Sequence, residues 1–211
     1  MDKYYSVSKN HEKEVVIERS RFIAACAPVK TEEEAKAFVY AVKKKHSAAT
    51  HNCYAYITEL GKYSKFSDDG EPGGTAGAPI LEAIKNLNLT DTAVVVTRYF
   101  GGIKLGTGGL TRAYGSVAAA ALKECGVKTY VLSSFCRVSL DYEAYQKFLR
   151  FASVNALSVL KTEFSDGVSV EFSVEKSAYK SFIDKFCDYF SGKVAVENIG
   201  EDFAETRGEK Q

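Results

Sequence analysis

Tryptophan is absent from the chain, and methionine, histidine and proline are scarce: one, three and three in 211 residues. No HExxH, GxSxG or CxxC string occurs, and no Cys/His pairing has a recognisable spacing. Nucleophilic catalysis and a zinc-type centre therefore have no support in the pattern. No apolar run approaches the roughly 18 residues that cross a bilayer, so no membrane partner is expected. The opening MDKYYSVSKNHEKE lacks the apolar centre of a secretory signal, and a cytoplasmic protein is expected. Cys26, Cys53, Cys125, Cys136 and Cys187 are odd in number and widely spaced, mostly among apolar neighbours, which reads as buried free thiols. A strong net charge is missing too. The formal balance is +1, far from the pI above about 9 of a dedicated nucleic-acid domain, and nothing signals DNA specifically. The charge is unevenly spread, however: 18 Lys/Arg against 14 Asp/Glu in residues 1–130, and 10 against 13 in residues 131–211. An anionic partner is favoured for the first part only.

Apolar residues at 45% and charged residues at 26% describe an ordinary globular chain, long enough for one large domain or two small ones. In residues 1–132 strand-like and helix-like signals alternate. VVIERSRFIAACAPV reads as paired strands turning near Glu18, Arg19 and Ser20. TEEEAKAFVYAVKKKH reads as a helix with Thr31 as N-cap and Glu34 three residues on, acidic first and basic last. HNCYAYIT reads as a strand, APILEAIKNLN as a short amphipathic helix with Pro79 in its first turn, and TAVVVTRY as a buried strand. A helix over residues 107–123 closes at Gly126.

Residues 133–211 have a different rhythm. FCRVSLDY is strand-like, and EAYQKFLRFASVN is helical with Tyr145, Phe148, Leu149 and Ala152 on one side. Two alternating runs flank Ser165, Asp166 and Gly167, a tight hairpin signal. A helix striped by Phe182, Ile183, Phe186 and Phe190 ends at Gly192, then VAVENIGEDF forms a last strand before a polar tail, ETRGEKQ. The order βαββαβ is ferredoxin-like. The fold class expected is thus α+β, with a boundary at 132/133.

Two glycine-rich stretches carry the functional signal. RYFGGIKLGTGGLTRAYGS, residues 98–116, joins a strand to a helix, where backbone N–H groups can be aimed at an anion. Gly106, Gly108 and Gly109 stand at the helix entrance, Lys104 and Arg112 add charge, and Arg98 leaves the strand. Tyr99 and Phe100 offer rings for base stacking or for packing. The stretch is neither GxxxxGK[ST] nor GxGxxG, so no nucleotide cofactor is implied. Upstream, SDDGEPGGTAGAP holds Ser67, Asp68, Asp69 and Glu71, then Gly73, Gly74 and Thr75. Its carboxylates can hold Mg²⁺ or orient a water, or they can bond their own turn. A polar contact loop beside the glycine turn is the favoured reading, and no metal ligand is assigned. His51 can line the same cleft; His46 reads as a helix C-cap, and His11 lies in a polar leader.

Together FSDDGEPGGTAGAPIL and VVVTRYFGGIKLGTGGLTRAYG resemble the IMPACT family, both its bacterial YigZ members and the N-terminal module of the eukaryotic translational regulators. SRFIA and THNCYAY are similar as well. The resemblance implies a first domain similar to the second domain of a small-subunit ribosomal protein, an α/β two-layer fold. The second domain it implies is ferredoxin-like, similar to the last domain of elongation factor G. It further implies a role in translational control, which in the eukaryotic relatives runs through a protein partner associated with the ribosome. The expected function is an RNA- or ribosome-associated binding protein without cofactor, using a glycine-rich anion-binding cleft. The alternatives are a metal-dependent enzyme acting on a small phosphorylated compound, and a pure protein-interaction module.

Overall fold

The computed structural model of the chain describes residues 2–206. In chain order its elements are β1 (Lys3–Val7), β2 (His11–Ile17), β3 (Ser20–Pro28), α1 (Glu32–Lys45), β4 (His51–Thr58), β5 (Tyr63–Ser67), α2 (Gly77–Asn86), β6 (Thr92–Tyr99), α3 (Gly106–Cys125), β7 (Val127–Leu140), α4 (Tyr142–Val154), β8 (Ser158–Phe164), β9 (Val168–Glu175), α5 (Tyr179–Tyr189) and β10 (Glu197–Glu205). They form two compact units, Tyr4–Thr129 and Tyr130–Gln211, the second taking in Met1–Lys3. The division falls inside β7. The sequence places the boundary at 132/133 because its rhythm changes there, but one continuous strand carries the chain from unit to unit. The polar tail ahead of the C-terminus lies mostly outside the described residues.

In the first unit the sheet order is β2-β3-β6-β4-β5, antiparallel throughout. Strand alternation sorts its side chains onto two faces. Phe22, Ala24, Cys26, Cys53, Ala55, Val94 and Val96 pack under α2 and α3. Ala25, Ala27, Tyr56, Ala93 and Val95 instead meet Ala35, Val39 and Val42 of α1. TAVVVTRY is apolar without interruption because helices cover both its faces. The α+β architecture expected is present; α1 adds a layer to the two-layer arrangement. Thr31 accepts the Glu34 N–H at 3.2 Å, as the capping pattern predicts. The Glu34 carboxylate reaches back to the N–H of Lys30 at 2.6 Å, one residue before the cap.

In the second unit β10 and β9 flank β7, and β8 lies outside β9, all antiparallel. This is the ferredoxin-like arrangement. Cys136, Val138, Val170 and Phe172 face Phe148, Phe151, Phe182 and Phe186 of α4 and α5. Two expectations change here. Leu149 is exposed and Phe151 joins Phe148 and Ala152 in the core, so the apolar face is rotated by only a fraction of a turn from the one expected. Cys187, expected buried, is exposed, while Cys26, Cys53, Cys125 and Cys136 are buried as read.

The topology of the first sheet positions the site. β5 and β6 are both antiparallel to β4 and so run parallel to each other. The connections leaving them emerge at the same end of the sheet, and α2 and α3 therefore both begin there. β3 starts at that end too, with Arg21 opposite Tyr99, which brings in the β2–β3 turn. The turn expected near Glu18, Arg19 and Ser20 is a two-residue hairpin: Glu18 and Arg19 both have positive φ (45° and 63°), and Ser20 already opens β3.

Candidate functional site

The β6–α3 connection is pinned before it reaches the helix. Arg98 O accepts the N–H of Thr50 at 3.0 Å, and the Thr50 hydroxyl accepts the N–H of Phe100 at 3.2 Å. Gly101 donates to the Ser20 hydroxyl at 3.2 Å and lies so close to the β2–β3 turn that a Cβ there would stand 2.1 Å from the Arg19 carbonyl. Beyond this anchor the chain opens. Gly106 has φ of +70°, and a Cβ at Gly106 or Gly108 would meet nothing within 4 Å. Packing does not demand glycine at Gly108, which stands in the first turn of a helix that glycine weakens. What glycine leaves there is an uncovered main chain.

The first N–H groups of a helix have no intrahelical acceptor, and the dipole makes that end positive. No side chain caps α3, and its first turn holds no acid. Lys104, Gly109 and Arg112 line one cleft of about 680 Å³, floored by Ile17, Leu105 and Ala113, with Glu18 at its rim. Lys104 and Arg112 are exposed, and neither has an ion-pair partner among the described residues. Lys13, Lys43, Lys45 and Lys85, by contrast, are all neutralised by carboxylates.

Arg98 requires a correction as a phosphate-neutralising cation. Its parity with Val94 and Val96 turns it inward, where it is 5% exposed. Arg98 Nη1 donates to Glu71 Oε1 at 2.8 Å and Nη2 to the Ser20 hydroxyl at 3.3 Å. Its guanidinium carbon lies 5.4 Å from the ring centroids of both Phe22 and Phe100. The Tyr114 hydroxyl donates to the same Glu71 oxygen at 2.8 Å, and burial pushes its own ionisation up. His51 Nε2 lies 3.9 Å from Glu71 Oε2. His51 Nδ1 is 2.8 Å from the Asp69 carbonyl, which only accepts, so that nitrogen carries the proton. Glu71 thus ties the upstream loop to β6 and α3 from inside.

The other carboxylates of that loop are committed separately. Asp68 accepts the N–H groups of Gly74, Ala76 and Gly77 at 2.9, 3.0 and 2.8 Å and so fixes the turn into α2. Asp69 accepts Lys43 Nζ at 2.6 Å and the Asn52 N–H at 2.7 Å. Ser67 accepts the Asp69 N–H at 3.2 Å, and the Thr75 hydroxyl donates to the Pro72 carbonyl at 2.6 Å. Among the described residues no group of His, Cys, Asp and Glu is placed to hold a metal ion. Cys53 donates to the Asp68 carbonyl, and burial pushes its thiol up to about 12, so it is no nucleophile at neutral pH.

The two loops share one end of the sheet, and residues of each line different cavities. Gly74 and Thr111 line the groove between α2 and α3, and the Lys104–Arg112 cleft lies elsewhere along α3. Gly73, like Gly74, has open space where a Cβ would be. Tyr99 is engaged, its hydroxyl 3.0 Å from His46 Nδ1 and its ring 4.6 Å from the Arg21 guanidinium. Phe100 is 47% exposed. Sequence reasoning missed Ser20, Thr50 and Tyr114. Tyr114 was legible as a core position, one residue beyond Ala113 and three before Val117.

Burial opposes ionisation of Asp68 and Asp69, but their N–H and Lys43 donors outweigh it and hold both carboxyls below the ordinary aspartate range. Such groups stabilise the fold above their unfolded pKa of about 3.9, and the contribution is lost as pH falls through the lowered folded values. The urea midpoint is expected to drop as pH falls below about 4, and Asp68→Asn should flatten that dependence. An unchanged slope in the variant would remove Asp68 from the account.

Fold and site together define a two-unit α+β protein with a glycine-built, uncapped helix entrance and a buried ion pair behind it. The Impact N-terminal domain model matches residues 18–122. The IMPACT family member YvyE of Bacillus subtilis is 41% identical over 195 residues, covering 92% of this chain and 90% of that protein. The IMPACT family member YigZ of Escherichia coli is 32% identical over 88% of this chain and 92% of its own. A solved structure titled as a hypothetical protein superposes with a TM-score of 0.62 at 28% identity, covering 96% of this chain and 100% of that one. The chain belongs to the IMPACT family. Among the described residues no helix is long and apolar enough to cross a membrane.

Proposed function

We propose that this protein binds RNA, free or in the ribosome, and acts in translational regulation, with a backbone phosphate received at the entrance of α3. The observation that carries the reading is the uncapped N-terminus at residues 106–109. A Cβ at Gly106 or Gly108 would meet nothing within 4 Å, and two cations without ion-pair partners among the described residues, Lys104 and Arg112, stand beside it. The resemblance to eukaryotic IMPACT proteins, which implies translational control, supports the cellular role. The runner-up, a metal-dependent enzyme, needs carboxylates free to hold an ion, and Asp68, Asp69 and Glu71 are each engaged with protein partners.

Filter retention of single-stranded RNA across a salt series tests the reading. Lys104→Ala and Arg112→Ala should each weaken binding and lower the slope of log affinity against log salt by about 0.7. Variants that bind with wild-type affinity and slope would rule out the helix entrance as the phosphate site.

A further inference from the structure

A second basic and aromatic surface lies on the other face of the same sheet, between α1 and the edge strand β5. Lys36, Tyr40 and Lys43 recur along one face of α1. Tyr54 and Tyr56 project from β4, and Lys65 stands opposite Tyr56 on β5. Together they line a pocket of about 180 Å³. Tyr56 forms its floor, whereas Tyr40 is 69% exposed. The Tyr54 and Tyr56 rings stack at 6.1 Å, 5° from parallel, with Lys43 Nζ 5.5 Å from the Tyr54 centroid. Lys36 is paired with Glu32 at 3.1 Å and Lys43 with Asp69 at 2.6 Å. Lys65 has no ion-pair partner among the described residues. The rim therefore carries three ammonium groups against two carboxylates.

We infer that this groove docks single-stranded RNA, one base lying on the Tyr40 ring and the adjoining phosphate meeting Lys65. The uncompensated ammonium of Lys65 suits a phosphate, and the exposed Tyr40 ring suits a flat base attached to it. Every base has a π-face, so such contacts are tolerant of sequence. An acidic peptide would engage the lysines and leave the ring without a role. The groove shares no residue with the entrance of α3, and the two surfaces lie on opposite faces of the sheet, so each stands or falls alone.

The test is fluorescence anisotropy with labelled oligouridylate and an abasic oligomer of equal length, on the full chain. Neither the Tyr40 nor the Lys65 side chain makes a hydrogen bond among the described residues, and an unchanged urea midpoint confirms that the variants fold. Tyr40→Ala should weaken oligouridylate on the order of tenfold and leave the abasic oligomer unaffected. Lys65→Ala should weaken both and lower the salt slope by about 0.7. Wild-type affinity for oligouridylate in Tyr40→Ala overturns the inference, as does an abasic oligomer that binds the wild type as tightly as oligouridylate. So does polyglutamate binding that both substitutions abolish while RNA binding persists. Loss of RNA binding in Lys104→Ala and Arg112→Ala alone overturns this inference and leaves the helix entrance standing; loss in Tyr40→Ala and Lys65→Ala alone does the reverse.

Discussion

Glu71→Ala is expected to destabilise the first unit by about 3–5 kcal/mol, an effect of the size seen when one member of a buried ion pair is removed. The side chains of Glu71 and Arg98 are 4% and 6% exposed. Deleting the carboxylate strands a guanidinium held by Ser20 alone and leaves the Tyr114 hydroxyl without its acceptor. Arg98 Nε already has no partner, so the remaining network has no spare capacity to absorb the loss. Arg98→Ala should be similarly harmful, and the double variant should be less destabilised than the two losses added, because each single change exposes the other's charge. Urea denaturation of the four proteins measures this. A Glu71→Ala loss within about 0.5 kcal/mol, the range of an ordinary surface change, would mean that the pair does not hold the loop.

Gly101→Ala should prevent the first unit from folding as described. Its Cβ would stand 2.1 Å from the carbon and oxygen of Arg19 and 2.5 Å from the nitrogen of Ser20. All three are main-chain atoms of a tight hairpin, so no side-chain rotation relieves the clash. The β2–β3 turn must separate from the glycine turn, and the Ser20 hydroxyl then loses both Gly101 and Arg98. Gly108→Ala is the contrasting case. Nothing lies within 4 Å of the added methyl, alanine is the better helix former by up to about 1 kcal/mol, and the fold should hold or gain. Thermal denaturation of both variants separates the glycine that the fold needs from the glycine that a ligand would need. Equal midpoints would contradict the distinction.

Much of the fold was legible where the signal was local. The cap at Thr31, the hairpin at Glu18 and Arg19, the strand Thr92–Tyr99 and the second hairpin all follow from residues adjacent in the chain. β1 and β5 were not legible. YSKFS is polar and largely exposed, and it is a strand only because β4 lies beside it. Of the candidate site, the scaffold was legible and the partners of its side chains less so. Gly106, Gly108, Lys104 and Arg112 stand where the strand–glycine–helix pattern puts them. Arg98 was misjudged because its charge was weighed ahead of its parity with Val94 and Val96. That Glu71 and not Asp68 or Asp69 would meet it depends on how a loop folds across two helices, and no spacing in the sequence encodes that.

The entrance of α3 is proposed to receive a phosphate. The amide shifts of residues 106–109, followed by heteronuclear NMR as single-stranded RNA is added, test it most directly. Saturable shifts are expected, largest at Gly106, Gly108 and Gly109 and abolished in the Lys104→Ala, Arg112→Ala double variant. Saturable RNA binding that leaves those four amides unmoved would contradict it.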